Sequence, residues 1–124
     1  MSPSRRGAES AIPSLSLRVN LVPGGRIGPG KIELLEQIAA FGSISEAARR
    51  MKMSYKHAWD LIEEMNKSFG KPVISAQIGG KHGGGAQLTA VGLSVVSRFR
   101  AIERAAASAV QAQLKALQAE IGSG

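Results

Sequence analysis

The chain has no cysteine, which excludes disulfide staples, thiolate metal sites and a cysteine nucleophile. Aromatic residues are scarce, at 4% of 124 residues. A core must therefore rest on Leu, Ile, Val, Ala and Met, a mixture commoner in small helical domains than in large sheets. No apolar run approaches the length of a membrane span. The segment Met1 to Pro13 includes Arg5 and Arg6 and lacks the continuous apolar stretch of a signal peptide. It is expected to be a disordered tail on a cytoplasmic protein. Acid is also in deficit: 9 Asp and Glu face 16 Lys and Arg, for a formal charge of +7. A polyanionic partner follows as the first expectation, and on charge alone DNA, RNA and anionic membranes all qualify.

What is present fits one small domain. Leu15, Leu17, Val19 and Leu21 alternate with Ser16, Arg18 and Asn20, the period of a strand with one buried face, and Pro23-Gly24-Gly25 ends it. From Pro29, the residues Leu34, Leu35, Ile38 and Phe41 recur at helical spacing up to a stop at Gly42. Ser43-Ile44-Ser45-Glu46 matches a capping box and opens a second helix that turns Ala47, Ala48 and Met51 inward. After a tight turn at Lys52-Met53, Ser54 caps a third helix with the stripe Ala58, Ile62, Met65 and Phe69. Val73 to Ile78 and Ala86 to Leu88 read as a hairpin around the flexible tip Gly79 to Gly85. Thr89 then caps a last helix running to Ile121, with Leu88 and Leu93 placed as a hydrophobic staple. The expected fold is mainly α with a small β-hairpin. Residues 14–88 form a winged helix-turn-helix and residues 89–121 a long C-terminal dimerisation helix. No internal repeat is present.

The pair of short helices carries the functional expectation. In a helix-turn-helix the N-terminal end of the second helix enters the major groove. Ser54, Tyr55, Lys56 and His57 occupy that end, whereas Asp60, Glu63 and Glu64 come later and would repel phosphate, so only the tip can face DNA. These four are the expected base contacts, with Lys56 suited to guanine edges. Ser43, Ser45, Arg49, Arg50, Lys52, Lys81 and His82 are the expected phosphate contacts. For an isolated helix pair, an ordinary helical hairpin with solvated charges is the commoner outcome; the Gly-rich hairpin that follows shifts the balance toward a wing.

Two other motifs compete. Gly25 to Lys31 matches the spacing of a phosphate-binding loop up to its lysine, but Ile32 stands where Ser or Thr would hold Mg²⁺, and a turn between strand and helix is the preferred reading. The last helix, at 1.5 Å per residue, extends about 50 Å, more than a domain of this size can cover. Its stripe of Phe99, Ile102, Ala106, Val110, Leu114, Leu117 and Ile121 therefore predicts a homodimer. His57 and His82 lack metal-ligand spacing, and no nucleophile accompanies the acids, so neither a metal, a cofactor nor catalysis is expected.

The runs Gly42 to Ala48, Met53 to Asp60 and Glu64-Met65-Asn66 resemble the N-terminal domain of the molybdate-responsive ModE-type transcriptional regulators of bacteria. Gly79 to Thr89 resembles that family's wing and the start of its dimerisation helix, and both regions are more distantly similar to LysR-type regulators. The resemblance spans roughly Leu15 to Ala119. It implies a dimeric winged helix with Ser54 to His57 reading double-stranded DNA and Lys81 near the backbone. Full-length members of that family carry oxyanion-binding domains. The present chain ends at Gly124, and the expectation is that it does not sense molybdate by itself. The rival expectation is an architectural or nucleoid-type protein with little sequence preference.

Overall fold

The computed structural model describes residues 13–77 and 85–122. The elements, in order, are β1 (Val19–Asn20), β2 (Arg26–Ile27), α1 (Pro29–Phe41), α2 (Ile44–Arg50), α3 (Tyr55–Phe69), β3 (Ile74–Gln77), β4 (Gly85–Leu88), α4 (Ala90–Ala109) and α5 (Gln111–Ala119). This is the winged helix-turn-helix arrangement with a long C-terminal helical extension.

Burial alternates residue by residue from Leu15 to Leu21, as the period-two pattern requires, but only Val19 and Asn20 pair as a strand. Their partners are Ile27 and Arg26 in an antiparallel ribbon. The segment read as a strand-to-helix turn thus begins with a second short strand. Ile27 plugs this ribbon into a core formed by Ile32, Leu34, Leu35 and Ile38 of α1, Ile44, Ala47 and Ala48 of α2, and Ala58, Ile62 and Met65 of α3. Small residues on α2 let it lie close against α1 and α3.

The helix ends follow local chemistry. Gly42 closes α1 in the left-handed conformation, with its N–H donating to Ile38 O at 2.8 Å. Ser43, Ser54 and Thr89 cap their helices by accepting from the N–H of Glu46, His57 and Gly92. The capping box is only half made: the Glu46 carboxylate turns away to Arg49 and Arg50. Phe41, placed by its spacing on the buried stripe of α1, is 43% exposed, with the Arg50 guanidinium 4.0 Å above its ring. The expected staple also fails, because Leu93 points outward at 58% exposure.

The turn between α2 and α3 is compact because Lys52 adopts a left-handed φ of 58°. Its N–H donates to Arg49 O and that of Met53 to Ala48 O, the paired bonds of a Schellman ending. β3 and β4 form the hairpin stem, with Ile74 opposite Leu88 and Gln77 opposite Gly85. The tip expected at Gly79 to Gly85 lies outside the described residues, except that Gly85 opens β4.

The long helix is not continuous. Val110, at φ −109° and ψ 9°, separates α4 from α5. Phe99, counted among the dimerisation residues, is buried in the core of its own domain. The remainder of that stripe stays on the surface or only half covered.

Candidate nucleic-acid interface

The α2–turn–α3 unit presents one polar tip. Ser54, Tyr55, Lys56 and His57 are all exposed at the start of α3, whose first turn has no acidic residue to oppose its positive dipole end. Tyr55 meets Trp59 edge to face, with ring centroids 6.4 Å apart, and Trp59 is half-buried against the core. The Tyr55 ring is therefore propped from below, with its outer edge free.

Three of the cations near this tip, Lys56, Arg50 and Arg49, already have partners. Lys56 Nζ lies 3.1 Å from Asp60 Oδ2, one turn along α3. Arg50 Nε donates to Glu46 Oε2 at 2.9 Å, and Arg49 bonds the other carboxylate oxygen. These hydrogen bonds hold the Glu46 carboxyl below the usual carboxylate range. Lys52 is exposed on the turn beside them. Ser43 is half-buried with its hydroxyl used as a cap, while Ser45 is exposed. Lys81 and His82 lie outside the described residues.

The wing is tied to this unit at its base. Asn66 Oδ1 accepts from Val73 N–H at 2.8 Å, fixing the start of the hairpin to the end of α3. Ala86 N–H donates to Gly42 O, and Thr89 donates through its hydroxyl to Pro72 O at 2.7 Å and through its N–H to Val73 O. Gly92 lets α4 press on the same point: a Cβ there would sit 2.2 Å from Val73 O. The end of α3, the hairpin stem and the start of α4 are thereby bonded to one another.

The loop resembling a nucleotide site is differently employed. Lys31 donates to Arg26 O and pairs with Glu64 Oε1, both at 2.9 Å, so its ammonium clamps the β1–β2 ribbon to the far end of α3. Arg100 is held likewise between Glu36 and Glu103, fixing α4 to α1. Two acids raise its guanidinium pKa above its ordinary value. Sequence reasoning missed both clamps, because Lys31 and Glu64, and Arg100 and Glu36, are too far apart in the chain to be paired by spacing. It also missed the pairing of Lys56 with Asp60 and of Glu46 with Arg49 and Arg50, which helical i, i+3 and i, i+4 spacing could have shown.

Residues 30–93 match the family described as bacterial regulatory helix-turn-helix protein, lysR family. The chain belongs to that family. In sequence, this lysR-family chain is 43% identical over 94 residues to the molybdenum-pterin-binding protein MopB of Rhodobacter capsulatus, covering 76% of the present chain and 35% of MopB. It is 41% identical over 78 residues to the transcriptional regulator ModE of Haemophilus influenzae, covering 63% and 31% of the two chains. With the dual regulator ModE of Escherichia coli K12 it shares 44% identity over 71 residues, 57% of this chain and 27% of that one. The lysR-type domain is therefore a ModE-like one, as the tip and wing sequences suggested. It spans about a third of the length of these relatives. The DNA-binding domain of CbnR, solved with DNA, shares the fold at a TM-score of 0.53 and 20% identity, covering 70% of this chain and 95% of that one.

No helix among the described residues is long and apolar enough to cross a membrane.

Proposed function

We propose that this chain binds double-stranded DNA sequence-specifically as a homodimer and regulates transcription by occupancy, without catalysis, in molybdate-related gene control. The observation that carries the proposal is the exposed start of α3, where Ser54 to His57 stand clear of the core on a helix whose base is fixed to the wing. Hydrogen-bonding side chains on a positive helix end fit the major groove, where base edges present distinct donor and acceptor patterns. Arg49, Arg50, Lys52 and Lys81 serve the flanking phosphates, and the α4–α5 extension joins two such heads. Transcriptional control and a link to molybdenum are what the names of the ModE and Mop relatives describe.

Genome-wide mapping of bound sites, followed by competition on the recovered sequence, tests the proposal. Retention of one preferred duplex under a large excess of bulk genomic DNA is the expected result. Equal displacement from every sequence would instead establish the architectural alternative.

A further inference from the structure

At the end of α3 opposite Ser54 to His57, a recess of about 530 Å³ lies between that helix, the first turn of α1 and the turn joining β1 to β2. It borders neither the wing nor α4. Its walls carry three cations, Arg26, Lys31 and Lys67, against one acid, Glu64. Lys31 occupies that acid, since its ammonium is held between Glu64 Oε1 and Arg26 O. No carboxylate among the described residues pairs with Arg26 or Lys67, not even Glu63 one turn before Lys67. Arg49, Arg50, Lys56 and Arg100, by contrast, each hold one. We propose that the recess is a docking site for an acidic peptide segment of a partner protein, whose Asp or Glu side chains pair with Arg26 and Lys67.

Size, lining and position narrow the occupant to that class. The recess is far larger than a single inorganic oxyanion, and its two unpaired cations stand on different elements, Arg26 on β2 and Lys67 on α3. A ligand with more than one anionic group fits them better than a lone ion. A nucleotide is disfavoured because no aromatic side chain lines the recess for a base to stack on. Duplex DNA seated on Ser54 to His57 is disfavoured as well. From Tyr55 to Lys67 the helix rises about 18 Å at 1.5 Å per residue. Asp60, Glu63 and Glu64 lie along that path and would repel a continuous phosphate backbone. Carboxylates can instead enter one at a time, and a guanidinium takes each in a two-pronged fork. The floor is already formed: Gly25, at φ 105°, brings the turn down onto Ser68, where a Cβ would overlap the hydroxyl, and the Lys31 clamp ties the ribbon to α3. Binding then needs only the ordering of two exposed side chains, which keeps its entropic cost small.

This inference is independent of the DNA-binding reading, and the two fail separately. Hexaglutamate titrated into the full chain at low salt is the probe, with hexaglutamine as the uncharged control. The amide resonances of Gly24, Gly25, Lys67 and Ser68 should shift together to saturation with the first peptide and stay in place with the second. R26Q combined with K67Q should weaken that binding about fivefold or more while leaving affinity for duplex DNA unchanged. Shifts confined to Ser54 to His57, or spread evenly over every basic surface, overturn the site. Inorganic phosphate that saturates the same amides at the same concentration as the peptide would make the recess a small-anion site and overturns the protein partner. A double variant that loses DNA affinity would place the recess on the flank of the duplex, which overturns the proposal equally.

Discussion

Lys56 has one partner in the free protein and, under the proposed function, another on DNA. In the free protein its ammonium caps the charge of Asp60, an exposed pair that contributes little to stability. Lys56→Ala should therefore leave the melting temperature nearly unchanged. It should weaken the preferred site by about 1–3 kcal/mol and relax discrimination there, because one base-edge contact is lost. Uniform weakening on all duplexes, measured by titration against a sequence panel, would make it a phosphate contact instead. Glu46 works in the opposite sense. Its lowered pKa means that the pairing with Arg49 and Arg50 is fully present above the carboxylate's ordinary pKa and is lost as pH falls through the lower folded value. Glu46→Gln frees both guanidinium groups, so nonspecific affinity at low salt should rise and the acid limb of the stability curve should flatten. Gly92 is purely structural. Gly92→Ala drives a methyl to within 2.2 Å of Val73 O, backbone that cannot swing aside. A loss of about 1–3 kcal/mol is expected in urea denaturation, as for other overpacked sites.

The elements differ in how plainly the sequence declares them. α1 and α3 were legible because their apolar spacing, N-terminal signals and closing glycines agree, and the three hydroxyl caps each lie where Ser43, Ser54 and Thr89 predict. The β1–β2 ribbon was half legible: alternation from Leu15 shows one strand, but two-residue pairing with Arg26–Ile27 leaves no periodic trace. The break at Val110 was hidden because the apolar stripe continues at helical spacing on both sides of it. The exposed start of α3 was legible from charge order along the helix, whereas the pairing of the cations near it depends on rotamers that spacing only permits. At the α2–α3 turn, Lys52 sits where glycine is ordinarily favoured. Lys52→Gly should thus hold stability within about 1 kcal/mol, since relief of the left-handed strain offsets the freer unfolded chain. DNA affinity should fall all the same, separating charge from fold in one variant. Ending the chain after Arg104 removes only residues that the domain does not bury, and keeps Phe99 and the Glu36–Arg100–Glu103 clamp. Circular dichroism should show a folded domain and sedimentation a monomer, with operator binding collapsing because one head retains only its own contacts.

For the molecule as a whole, DNA binding should be steeply salt-dependent. If, as proposed, four cations on each of two protomers contact phosphate, the expected slope is about −7 in log affinity against log salt, at roughly 0.9 per phosphate neutralised. A nearly flat plot would remove the electrostatic part of the proposal. A shallower but still definite slope would be explained by the Glu46 carboxylate, which holds two of these cations, Arg49 and Arg50, in the free protein. Arg49, Arg50 and Lys56 do not carry bare charges in the free protein; under the proposed function, Glu46 and Asp60 hold the places that phosphate and base edge would take. Association is accordingly a change of partners. On that proposal, the lysine can return to its carboxylate on a wrong sequence, while on the right one it leaves behind an acid at the mouth of the groove, so the correct contact must replace a resident partner before it adds to affinity.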